Sequence, residues 1–110
     1  MSVMKVVTAS GDLVIPVQAI IYGISISTTV DTTGAGMSGL GTVNVFNAAT
    51  QSDGTVSNAI VQYAFFLDPN QNPADNFQYV FPAGVKCLNG GSVTITLAGA
   101  ATCSVHIDYS

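Results

Sequence analysis

The residues able to do chemistry are few. His106 is the one side chain that could act as a general base near neutral pH, and Ser104 and Asp108 flank it at alternate positions. Alternation along a strand places all three side by side on one face, where a serine–histidine–aspartate relay cannot form. An exposed or interfacial histidine is the expectation. Cys87, Cys103 and His106 could suggest a metal site, but a metal needs ligands converging on one point. Cys103 and His106 are three apart, so in a strand they point to opposite faces, and no metal is expected. Two buried thiols that pack as small apolar groups are expected instead. A disulfide between them requires the strands around 85–88 and 103–109 to be neighbours, and would contribute about 3 kcal/mol.

Two further stretches imitate binding motifs. Gly34-Ala35-Gly36-Met37-Ser38-Gly39 spells G-x-G-x-x-G, which in a dinucleotide site opens a helix onto the pyrophosphate. Here Leu40-Gly41-Thr42-Val43-Asn44-Val45 follows and reads as a strand, so no cofactor is expected. Asp68-Pro69-Asn70-Gln71-Asn72 alternates oxygen ligands as a calcium loop does. Pro73 replaces the glycine such a loop needs, and Tyr79 stands where a bidentate glutamate belongs. A Pro/Asn turn is the better account.

The elements that would hold these residues are strands. Ile20, Tyr22, Ile24 and Ile26 alternate with Ile21, Gly23, Ser25 and Ser27, and Val93, Ile95 and Leu97 alternate with threonines. Cys103, Val105, Ile107 and Tyr109 alternate with Ser104, His106 and Asp108. Further strands are predicted at 4–8, 13–18, 42–46, 58–66, 77–81 and 85–88. The separators are turn-formers, among them Ser10-Gly11-Asp12, Ser52-Asp53-Gly54, Pro82-Ala83-Gly84, Asn89-Gly90-Gly91 and Ala98-Gly99-Ala100. Eight or nine short strands in 110 residues predict an all-β, single-domain antiparallel β-sandwich, jelly-roll-like, with an immunoglobulin-like sandwich as the alternative. The domain spans 1–110, with 1–10 a strand, an extended arm or a strand exchanged with a neighbour. The aromatics Tyr63, Phe65, Phe66, Phe77, Tyr79 and Phe81 are expected in the core. Tyr63 shares a face with Phe65, and Phe77 shares one with Tyr79 and Phe81.

Composition narrows the function. Hydrophobic residues make up 48% and charged residues 7%, against roughly 25% charged in an ordinary domain. Six aspartates against two lysines exclude a basic nucleic-acid binder, and the apolar content excludes a disordered chain. No run reaches the roughly 20 apolar residues of a spanning helix, and no stretch reads as an export signal. The aspartates are scattered, four of them in turn-like surroundings, so turn chemistry is their expected role. Exposed faces must then be built from Thr, Ser, Asn, Gln and apolar atoms. Covering hydroxyls and amides costs far less than covering ions, so a homo-oligomer or a part of a larger assembly is expected, and not an enzyme. Two loops, 29–41 and 68–76, exceed usual hairpin lengths and are the expected partner surface. The candidate contacts are Asp31, Met37, Leu40, Asp68, Asn70, Asn72 and Asp75.

A resemblance adds to this. Phe81-Pro82-Ala83-Gly84-Val85-Lys86-Cys87, then Leu88-Asn89-Gly90-Gly91 and Ser92-Val93-Thr94-Ile95-Thr96-Leu97, lead to a final strand at 103–109. With Tyr22-Gly23-Ile24-Ser25-Ile26 and Val43-Asn44-Val45-Phe46-Asn47, the pattern resembles the small all-β structural proteins of tailed bacteriophages. That group includes capsid decoration or cement proteins and head fibres. The resemblance covers most of the chain and rests on strand and turn signals without a diagnostic motif. It implies a virion protein at the capsid surface, a trimer docked on the major capsid protein where capsomers meet, and supplies no catalytic residues. Composition and the failed motifs leave no cofactor, nucleic acid or membrane partner expected. The alternative is a tail-fibre or receptor-binding module that recognises host glycans through the two long loops.

Overall fold

The computed structural model describes residues 2–30 and 36–110. Eight strands follow one another: β1 (Val3–Val7), β2 (Gly11–Ile15), β3 (Ala19–Val30), β4 (Gly41–Phe46), β5 (Ala59–Phe65), β6 (Ala74–Cys87), β7 (Gly91–Thr96) and β8 (Ala101–Tyr109). Two short 3₁₀ turns, Gln51–Asp53 and Val56–Asn58, lie between β4 and β5. The strands form two four-stranded sheets, ordered β1-β8-β3-β6 and β2-β7-β4-β5. Every pairing is antiparallel.

The order follows from one winding. β1 pairs with β8, β2 with β7, β3 with β6 and β4 with β5. The chain is thus a single ribbon doubled back between β4 and β5, with successive strand pairs alternating between the sheets. This is the jelly-roll-like sandwich. An immunoglobulin-like order would keep the first two strands in one sheet. Here β1 and β2 lie in opposite sheets.

Alternation fills the space between the sheets. Ile21, Ile24, Ile26, Val105 and Ile107 point inward from the first sheet, and Ile15, Val43, Val45, Val61 and Val93 from the second. All ten are β-branched, which suits a pleated surface. Each such side chain contributes about 1.5–3 kcal/mol on burial.

Four expectations change. Ile20 and Tyr22 do not share the buried face of Ile24 and Ile26: Ile21 does, because β3 carries an extra residue at Tyr22, with Ile21 opposite Tyr109 and Gly23 opposite Asp108. Pro82-Ala83-Gly84 does not separate two strands, because β6 runs unbroken from Ala74 to Cys87. Ile21 faces Val85 while Gly23 faces Val80, so the extra residues of β6 bulge out at the Pro-Ala-Gly step. Gly84 takes φ +76 there, the left-handed region glycine enters without strain. The strand predicted at 13–18 lies earlier, at Gly11–Ile15, because Leu13 and Gln18 have positive φ and Leu13 N–H donates to Ala49 O at 2.9 Å. The disulfide option fails on topology. β6 and β8 lie on either side of β3, where Cys87 faces Ala19 and Cys103 faces Thr28. Nine strand positions, about 30 Å, separate those points. Both thiols are free and buried.

Candidate partner-binding surface

The two long loops meet at one end of the sandwich. Val30 N–H donates to Pro73 O at 2.8 Å, which ties the end of β3 to the start of β6. Leu67 N–H donates to the Met37 thioether sulfur at 3.1 Å. Gly36 approaches the Pro69 ring so closely that a Cβ there would lie 2.8 Å from it. The turn before β8 joins them: Ser38 N–H donates to Ala98 O and Ala100 N–H to Gly36 O, both at 3.3 Å. Three segments, 36–40, 66–73 and 97–100, therefore form one surface.

The sequence candidates divide across it. Asp31 lies outside the described residues. Met37 is buried, its sulfur serving as the acceptor for Leu67. Leu40 is 63% exposed. Asp68 and Asn72 exchange two backbone hydrogen bonds of 2.9 Å, and the Asp68 carboxylate accepts Asn70 N–H at 2.8 Å. This closed turn holds Asn70 and Asn72 outward, as a Pro/Asn turn should. Asp75 stands apart on β6, where its carboxylate accepts the Tyr63 hydroxyl at 2.8 Å. Burial and that acidic neighbour push the Tyr63 phenol up to about 12.

The motif imitators resolve into structural roles. Gly36 to Gly39 lead directly into β4, with no helix between. Cys103 points into the core while His106 sits on the outer face. Ser104 Oγ lies 3.3 Å from His106 Nε2, the side-by-side geometry expected of alternate positions. Burial pushes the Cys103 thiol up to about 11 and raises Cys87 in the same direction. The turn role of aspartate holds for Asp53 and Asp68, which accept hydrogen bonds from Thr50 and Asn70, while Asp12 lies in β2 and accepts the distant Gln51 N–H. Asp75 and Asp108 sit in strands.

The middle of each outer face is built of uncharged polar residues, with Asp108 and the exposed Met4, Val6 and Val80 around them on the first sheet. On the first sheet, Ser25 lies between His106 and Gln78, and Ser27 between Ser104 and Asn76. On the second, Thr42 and Asn44 lie between Thr96, Thr94 and Ala64, Gln62. Asn44 Nδ2 donates to Thr94 Oγ1 at 3.2 Å.

Sequence reasoning missed the edges. Phe65 is buried as expected, but Phe66 is 53% and Tyr79 38% exposed. Tyr63, Phe77, Tyr79 and Phe81 stack in a row with ring centroids 4.9, 4.6 and 6.0 Å apart. The row lines the open side where β5 and β6, the outermost strands of their sheets, fail to pair. A shallow groove of about 430 Å³ continues it between Ile60, Phe81 and Val85. On the opposite side, Val3, Met4 and Val6 of β1 are also exposed. The signal was present: 77–81 is apolar on both faces at once except for Gln78, and one face of an outermost strand must meet water or a partner.

No family model matches the chain, and no curated protein matches it. Solved structures give similar chains at low identity. The tobacco streak virus coat protein dimer is 12% identical with a TM-score of 0.47, over 99% of this chain and 85% of that one. A cleaved adhesin domain of Lys-gingipain from Porphyromonas gingivalis is 12% identical with a TM-score of 0.42, over 99% of this chain and 62% of that one. A chain of the cyanophage Pam1 capsid asymmetric unit is 14% identical with a TM-score of 0.33, over 98% of this chain and 80% of that one. Likeness at this level assigns no role.

Proposed function

We propose that this protein is a structural component of a virion, a decoration or cement protein that binds the capsid surface and associates with copies of itself. The role is mechanical and not enzymatic. One observation carries the reading: the middle of each outer face of the sandwich is laid out in serine, threonine, asparagine and glutamine, with few ions among them. Such faces are covered at little desolvation cost. Several modest contacts to neighbouring subunits then act together through high effective concentration.

Salt is the discriminating variable. At about 1 M salt the screening length falls to about 3 Å, and associations held by ion pairs weaken. Uncharged contacts do not. Particles carrying this protein are sedimented at rising sodium chloride and the bound fraction is measured. Retention at molar salt is expected, and release at moderate salt would overturn the reading.

A second reading, a receptor-binding module on a tail fibre, draws support from the loop end, where Leu40, Asn70 and Asn72 are exposed together. Asparagine amides are suited to sugar hydroxyls. Glycan binding by the isolated protein, without affinity for capsids, would favour it over the first.

A further inference from the structure

The two edges of the first sheet are complementary to one another. β1 and β6 are its outermost strands, and each leaves one row of backbone N–H and C=O groups without a strand partner among the described residues. Because every pairing in the sheet is antiparallel, β1 and β6 run in opposite directions. A second copy laid beside the first in the same orientation therefore presents its β1 antiparallel to the first copy's β6. The second sheet behaves likewise, with β2 and β5 as its outer strands.

The side chains agree with the backbone. Lys5 is on the inward row of β1, opposite Ile107, and Asp75 is on the inward row of β6, opposite Thr28. A register that sets Lys5 opposite Asp75 sets Val3 opposite Phe77 and Met4 opposite Asn76. Inward residues then meet inward residues, so the continued sheet keeps its two faces. Asp75 is the one carboxylate on β6 and Lys5 the one ion on β1. One apolar pair joins on the inward row, Val3 against Phe77, while the outward Met4 and Val6 of β1 lie opposite Asn76 and Ala74. The bulge at Pro82-Ala83-Gly84 ends the straight part of β6, leaving Ala74 to Phe81 for a strand of β1's length. The pairing spans the five residues of β1, about 17 Å of strand.

We propose that copies of this chain associate head to tail, β1 of one extending the sheet at β6 of the next. This deepens the self-association part of the reading above and does not depend on the shell. The contact is heterologous, so it closes into a ring or continues as a filament according to the rotation between copies.

Sedimentation equilibrium and cross-linking test it. Lys5→Asp and Asp75→Lys are each expected to weaken self-association by about tenfold through like-charge contact, and the double exchange to restore it. Asp75→Lys also loses the Tyr63 hydrogen bond, so a second pair avoids that site. Met4→Cys and Asn76→Cys lie on exposed outward positions, while the native thiols are buried. Under mild oxidation, a disulfide-linked dimer is expected when the two variants are mixed and not from either alone. No cross-link in the mixture, or one from Asn76→Cys alone, would overturn the proposal, as would a monomeric wild-type protein at millimolar concentration. A monomer that still coats particles would sink this contact and leave the cement role. An oligomer indifferent to particles would do the reverse.

Discussion

Met37 occupies a stretch rich in glycine and threonine, where an outward role is the natural expectation, yet its side chain is only 8% exposed and its sulfur accepts the Leu67 N–H. Methionine suits such a position because its flexible thioether fills irregular gaps. Met37→Leu keeps the volume but leaves that N–H without an acceptor, and is expected to cost about 1 kcal/mol in urea unfolding. Met37→Ala adds a cavity and should cost about 2–3 kcal/mol. Ser92 is the opposite case. Its hydroxyl is fully buried with no hydrogen-bond partner among the described residues. Ser92→Ala should therefore be neutral or stabilise by up to about 1 kcal/mol in the same assay. The raised phenol and thiol fix a pH response. Tyr63 and Cys103 both favour their neutral forms in the folded state. Their contribution is complete below the unfolded values, near 10 and 9, and is lost as pH rises through about 12 and about 11. Stability should fall between pH 9 and 12, and Tyr63→Phe should flatten that limb. At pH 8 neither thiol should react with a thiol reagent until the protein is unfolded.

At the scale of elements, β6 is the informative strand. It is the longest, at 14 residues, and most of it is exposed. Its bulge depends on Gly84, where an added Cβ would lie 2.5 Å from the Ile20 methyl and the backbone holds φ +76. Gly84→Ala combines strain with a clash and should lower stability by about 2 kcal/mol, measured by thermal or urea unfolding. The alternation in 24–27, 93–97 and 103–109 was legible because each of these stretches has one buried face, whereas the bulge at Tyr22, which turns Ile21 inward in place of Ile20, left no mark in the sequence. β6 was misread because it has no such face along much of its length. Its aromatics suggested core and its Pro-Ala-Gly step suggested a turn, and only the unequal pairing with β3 shows a bulge instead. The candidate loops were legible as long and irregular. That they meet depends on Pro73, Pro69 and Gly36 being brought together across the sandwich.

For the whole molecule, composition and winding act together. A chain with formal net charge −4 and 7% charged residues cannot cover its surface with ions, so its attachment to particles should change little with salt, whereas self-association through the Lys5–Asp75 pair should weaken modestly. Sequence alone determined the all-β class, the inward-facing isoleucines and valines, and the uncharged polar character of the surface. Those properties belong to residue type and to the two-residue period of a strand, and they hold whatever the strand order. Tertiary structure decided which strands lie outermost, that Cys87 and Cys103 face distant ends of β3, and that the two loops share one end. It also decided that Lys5 and Asp75 lie on opposite edges of one sheet. These depend on contacts between residues far apart in the chain, and local periodicity carries no record of which strand will lie beside which.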